Sequence, residues 1–178
     1  MPTRGCYPGS FDPLTIAHLG IAEAALRQCG VEAIDLVLSE QALGKATAGR
    51  PSVAERAKTL REQLAARDRL HVATTPAQLL AEIADGYDWV VLGMDKWVQI
   101  LEPEWYGSAD ARDVAIAALP RIALAPRAAP IATQAGPTDP ARVERALPDG
   151  SIVLSIPVSL GEVSSTAARA GRTDWLAR

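Results

Sequence analysis

Aromatic side chains are scarce in this chain, at 4% of 178 residues, and lysine occurs only at Lys45, Lys58 and Lys96. A core so poor in aromatics and so rich in Ala, Leu and Val suits helices packed on a buried parallel sheet better than a β-sandwich. No apolar run nears the roughly 20 residues that cross a bilayer, so no membrane span is expected. The opening MPTRGCYPGSFDP lacks a basic segment followed by an apolar one, and no secretory signal is read there. Cysteine is limited to Cys6 and Cys29. Both stand in apolar surroundings and read as small core residues in a reducing cytoplasm rather than as a disulfide framework. Two histidines and two cysteines at scattered positions make no zinc site. The formal net charge of −3 gives no broad basic face, so nucleic acid is not an expected partner. Any anion site must then be built locally from a few cations and backbone amides. Also missing are a GxxxxGK[ST] phosphate loop, a GxGxxG turn after a strand and a GxSxG nucleophile elbow.

What is present alternates. Strand-like stretches fall at Thr3–Tyr7, Ala33–Leu38, Leu70–Ala73, Tyr87–Leu92, Arg121–Ala125 and Ile152–Ile156. Between them, helical spacing runs through Ile16–Cys29, closed by Gly30, and through Val53–Arg67, where Ser52 and Glu55 form a capping box. Shorter helices are expected at Ala77–Ala84, Ala111–Leu119 and Ser164–Ala170, with an irregular segment over Pro126–Pro140. Strands separated by helices predict βαβ units in a doubly wound, mostly parallel sheet, as one domain over residues 1–178. In such sheets ligands bind beyond the carboxyl ends of the strands, where strand order reverses. The loops after Tyr7, Leu38, Leu92 and Ile156 are therefore the places to look.

The first of these loops reads Pro8-Gly9-Ser10-Phe11-Asp12-Pro13-Leu14-Thr15-Ile16-Ala17-His18. Gly9 and Ser10 permit close backbone approach, and Thr15 and His18 share one face of the first helical turn. That turn offers amide donors and the positive end of the helix dipole, a seat for phosphate. An imidazole there can donate to a phosphoryl oxygen as charge builds. Near the other end, Val163-Ser164-Ser165-Thr166-Ala167-Ala168-Arg169 sets three hydroxyls before a helix, with a guanidinium one turn inside. This is a second grip for phosphates.

The string GSFDPLTIAH resembles the GxFDPxT/HxGH motif of the nucleotidylyltransferase superfamily, and VSSTAAR resembles its I/V-S-S-T-x-x-R motif. Ala17 stands where that family usually has glycine. Gly93-Met94-Asp95 followed by Trp105 resembles the G-x-D…W feature of nicotinate and nicotinamide mononucleotide adenylyltransferases. The resemblance implies a Rossmann-like fold of the adenine nucleotide α-hydrolase type, in three layers. It also implies transfer of a nucleotidyl group, adenylyl in the nearest relatives, from an NTP to a phosphate-bearing acceptor with release of pyrophosphate. Nicotinate or nicotinamide mononucleotide is the acceptor it favours. A phosphopantetheine adenylyltransferase, a cytidylyltransferase-like enzyme, or a nucleotide-binding protein of this fold without turnover remain alternatives.

By the same resemblance His18, Thr15 and Lys45 carry catalysis. Gly9, Ser10, Phe11, Gly93, Asp95, Ser164, Ser165, Thr166 and Arg169 join His18 in holding the NTP. Ser10, Lys45, Trp105 and Arg127 face the acceptor. Mg²⁺ arrives with the triphosphate, and no dedicated metal ligands are assigned. Arg56 and Trp97 read as structural. Acceptor identity, NTP base and any homo-oligomer stay open.

Overall fold

The computed structural model describes residues 2–40, 51–126, 132–133, 136–137, 140–163 and 168–177. Six parallel strands form the central sheet. They are β1 (Arg4–Pro8), β2 (Ala33–Ser39), β3 (Leu70–Thr75), β4 (Trp89–Gly93), β5 (Arg121–Ala125) and β8 (Ile152–Val153), in the order β3-β2-β1-β4-β5-β8. Strand order reverses between β1 and β4, so the loops leaving these two neighbours open into one crevice. A separate antiparallel pair, β6 (Ala132–Thr133) and β7 (Gly136–Pro137), lies within the stretch read as irregular.

Side chains alternate along each strand, and the core divides accordingly into two apolar layers. Tyr7, Ile34, Leu36, Leu38, Val91 and Ala123 pack with α1 (Ile16–Gln28) and α2 (Val53–Leu64). Cys6, Val37, Val90, Leu92, Ile122 and Leu124 pack with α3 (Leu80–Ile83) and α4 (Met94–Leu101). The fold is thus the doubly wound parallel sheet that alternation of strands and helices predicts, in the three-layer, Rossmann-like arrangement that the resemblance implies. Both cysteines are unpaired, Cys6 fully buried and Cys29 partly so, and burial pushes the Cys6 thiol up to about 12. Cys6 is accordingly inert packing material.

Helix ends follow local chemistry. Ser52 and Glu55 make the expected reciprocal cap of α2, with Glu55 Oε2 2.8 Å from the Ser52 amide. Gly30, at φ +64°, turns the chain out of α1. Three sequence boundaries need correction. The helix expected to reach Arg67 stops at Leu64, the one read from Ala77 is the single turn Leu80–Ile83, and the last strand keeps only Ile152–Val153. Sequence reading also passed over α4, a 3-10 helix at Pro103–Trp105, α6 (Pro140–Arg145) and α7 (Val158–Gly161); α5 (Ala109–Ala117) lies near its expected place.

At the amino-terminal edge of the sheet the buried Asp35 carboxylate takes both oxygens to Arg4 Nη2, at 2.6 and 2.8 Å, and one to the Tyr87 hydroxyl at 2.7 Å. This satisfied carboxylate ties β1, β2 and the approach to β4 together at the end away from the crevice. Among the described residues no helix is long and apolar enough to cross a membrane.

Candidate active site

The loop from β1 into α1 is held from several directions. Gly9 N–H extends the sheet by donating to Val37 O at 3.1 Å. Phe11 adopts a left-handed backbone, φ +44°, which costs a non-glycine residue about 1–2 kcal/mol unless its surroundings enforce it. Here they do: the Phe11 ring is buried, edge-on to Tyr7 at 5.3 Å and to His18 at 5.1 Å. The ring lies over Gly9 so closely that a Cβ at position 9 would sit 2.8 Å from Phe11 Cζ. Gly9→Ala is therefore expected to cost about 1–3 kcal/mol by overpacking, read as a lowered denaturation midpoint with an unchanged m-value. On the other side, Arg56 Nη1 donates to Ser10 O at 2.9 Å and its Nε to Pro51 O at 3.3 Å. Arg56 thus acts structurally, as read, and its task is to brace this loop.

Thr15 caps α1 in an extended conformation, φ −120° and ψ 163°. The cap is reciprocal, but the third helical residue is histidine rather than the usual glutamate. His18 N–H reaches Thr15 Oγ1 at 3.4 Å, and Thr15 N–H donates to His18 Nδ1 at 3.0 Å. A backbone amide can only donate, so Nδ1 is the acceptor and the imidazole proton resides on Nε2. Burial drives the His18 pKa well below the usual imidazole value, to about 4. At neutral pH the site therefore offers an uncharged ring with one fixed N–H donor, beside the positive end of a 13-residue helix. That is a donor set for phosphoryl oxygens.

Gly9, Ser10, Phe11, Thr15 and His18 are thus brought together in one loop and helix turn. Beside it, at the end of β4, Gly93 precedes α4 with ordinary backbone angles, φ −76° and ψ 150°, and a Cβ there would meet nothing within 4 Å. The protein's own packing does not demand glycine; the space lies open. Asp95 is exposed in the first turn of α4. A carboxylate at that position suits hydroxyl donors rather than phosphate. Trp105 lies beyond α4 with 38% of its surface exposed, whereas Trp97 is wholly buried and its Nε1 donates to Val143 O at 3.0 Å. The burial of Trp97 fits the structural role read for it from the sequence.

Arg169, from the second motif, donates through Nη1 to Asp12 O in the first loop. The two ends of the chain therefore meet. Ser164, Ser165, Thr166, Lys45 and Arg127 lie outside the described residues. Sequence reasoning missed the ties that dock the later segment on α1. Gln28 Nε2 donates to Ser155 O at 2.8 Å, and Ser155 N–H returns a bond to Gln28 Oε1 at 2.9 Å. Eight residues earlier on the same helix, Gly20 admits Leu160 of α7 so closely that a Cβ would stand 2.4 Å from Leu160 Cδ1.

The chain belongs to the cytidylyltransferase-like family, whose model matches residues 6–170. Its class is therefore that of the nucleotidyltransferase enzymes. Among solved structures it is similar to Plasmodium falciparum nicotinic acid mononucleotide adenylyltransferase complexed with NaAD. That match has a TM-score of 0.64 and 15% identity, over 96% of this chain and 83% of the other. The same Plasmodium enzyme complexed with APC gives a TM-score of 0.59 and 14% identity over the same shares. No curated protein sequence matches the chain.

Proposed function

We propose that this chain transfers an adenylyl group from ATP to the phosphate of a pyridine mononucleotide, releasing pyrophosphate. The observation that carries the reading is the neutral His18, its proton confined to Nε2 by the Thr15 amide, at a helix start on the strand-order switch. An acceptor phosphate is already anionic and needs no protein base. Its oxygen forms a bond to the α-phosphorus of ATP while the bond from that phosphorus to the β-phosphate bridge breaks, and pyrophosphate leaves with the electron pair. The protein's part is to align the groups and to meet the growing charge.

In this reading His18 Nε2–H and the first-turn amides of α1 hold the α-phosphate, with Thr15 setting the ring. Ser164, Ser165, Thr166 and Arg169 take the outer phosphates, Gly93 and Asp95 the ribose, and Lys45, Arg127, Ser10 and Trp105 the acceptor. The described donors are N–H groups, which suit phosphoryl oxygens. Mg²⁺ carried on the triphosphate would neutralise the outer oxygens and keep most of its waters. The two unpaired cysteines suit a reducing, cytoplasmic setting.

Support for a pyridine acceptor comes from the Gly93-x-Asp95…Trp105 feature and from the name of the Plasmodium enzyme that shares the fold. Trp105→Ala is expected to raise the acceptor KM roughly 10-fold through lost stacking, with little change in melting temperature. The deciding experiment is a matrix of acceptors against NTPs scored by pyrophosphate release. Release with ATP that requires nicotinate or nicotinamide mononucleotide supports the proposal. Release only with phosphopantetheine or a CTP-dependent acceptor reassigns the substrate. ATP binding without release across the whole matrix would mean a binding protein instead, a reading that Ala17, buried in the helix turn where relatives carry glycine, keeps in view.

A further inference from the structure

The peptide unit joining Leu14 to Thr15 is gripped on both sides. Its N–H donates to His18 Nδ1 at 3.0 Å, and its carbonyl, Leu14 O, accepts from Ala177 N–H at 3.1 Å. Thr15 and Leu176 form an isolated antiparallel bridge at the same point. Ala177 is buried in the core layer that also holds Leu14 and Phe11. The extended backbone of Thr15 serves both tasks, since a helix N-cap and a β-bridge call for the same φ and ψ.

We propose that Leu176 and Ala177 are positioning residues for His18, acting through a hydrogen-bond relay that runs from Ala177 N–H across the Leu14–Thr15 peptide to Nδ1. The inference rests on the reading of His18 as the phosphoryl donor. Polarisation along such a chain strengthens each bond, and the fixed peptide plane fixes the ring that leans on it. The ring's far nitrogen then points its N–H along one direction. The segment that delivers Ala177 is itself organised. Gly171, at φ +116°, reverses the chain, and Thr173–Trp175 forms a 3-10 helix. Arg172 pairs with Asp174 at 3.0 Å and covers the Trp175 ring at 4.0 Å. Those surface contacts add little stability, so their effect is to set shape. Arg169, bound to Asp12 O, anchors the same loop two residues before Leu14.

Ala177→Pro deletes one N–H, while Ala177→Gly keeps it. The proline chain is expected to lose roughly 10- to 100-fold in kcat with the ATP KM little changed, because misplacement of a reacting group by about 1 Å costs on that order. The glycine chain should retain most of its rate. A second readout needs no substrate. The NMR titration of His18 should move upward in the proline chain, toward the ordinary imidazole range, and stay low in the glycine chain. The rings packed on His18 among the described residues are Tyr7 and Phe11, and burial keeps the Tyr7 phenol neutral. A His18 midpoint and kcat both unchanged in a folded proline chain would overturn the proposal. Should that variant not fold, amide exchange in the native chain decides. Protection of Ala177 and Thr15 lost in step under mild denaturant supports the relay, and free-chain exchange of Ala177 beside a protected Thr15 overturns it. Absence of pyrophosphate release from the native chain against every acceptor would sink the functional reading while leaving these titration and exchange results intact.

Discussion

Alanine at position 18 is expected to lower kcat by about 100- to 1,000-fold while ATP binding changes little, the usual consequence of removing one donor aimed at transition-state charge. Single-turnover pyrophosphate release beside equilibrium ATP binding separates the two effects. The pH dependence has a definite sign. His18 is held neutral by burial with its pKa lowered to about 4, so the donor form persists from alkaline pH down to that point. The contribution of His18 to the rate should be flat between about pH 8 and 5 and should change only near pH 4. Stability follows the same linkage. The unfolded chain protonates this histidine at its ordinary value near 6.5, so stability is full above about 6.5 and declines as pH falls through the folded value. The His18→Ala chain should lack that segment of the acid limb.

Trp97→Ala carries the largest expected loss of stability. The indole is fully buried between β4, β5 and the chain near Val143, and its Nε1 donates to Val143 O, which also accepts from Ala146 N–H at 3.3 Å. Emptying that volume and losing the buried indole hydrogen bond is worth about 3–5 kcal/mol. In a domain of this size that shifts the melting temperature by roughly 10 °C or more, measurable by calorimetry. Trp97→Phe should recover much of the packing and leave only the loss of the indole hydrogen bond. The contrast with Trp105, whose replacement is expected to act on the acceptor and not on the melt, separates a structural tryptophan from a binding one.

The first loop was legible because the residue pairs that make up its motif are close in sequence. Thr15 and His18 are three residues apart, Gly9 and Phe11 two, and both pairs make their contacts within one turn of chain. Strands were legible for a similar reason, since continuous apolar runs such as Ala33–Leu38 need no distant partner to be recognised. α4 was within reach as well: Met94, Trp97, Val98 and Leu101 have the i, i+3, i+4, i+7 spacing of an amphipathic helix. The resemblance of Gly93-Met94-Asp95 to a short family feature displaced that signal. α6 and α7 are too short to show a period. The ties between chain ends carry no local pattern at all. Gln28 to Ser155 spans 127 residues and Arg169 to Asp12 spans 157, and a carbonyl that accepts such a bond looks like any other in the sequence. Packing between distant segments decides them.

Histidine nitrogen NMR offers the most direct check, because the chain has only two histidines and His71, on the outer part of β3, serves as an internal control. With ¹⁵N-labelled histidine, His18 should appear as the neutral Nε2–H form at pH 7, and saturating ATP with Mg²⁺ should shift that Nε2 signal while His71 stays in place. A proton found on Nδ1, or a His18 signal indifferent to ATP that is demonstrably bound, would contradict the account.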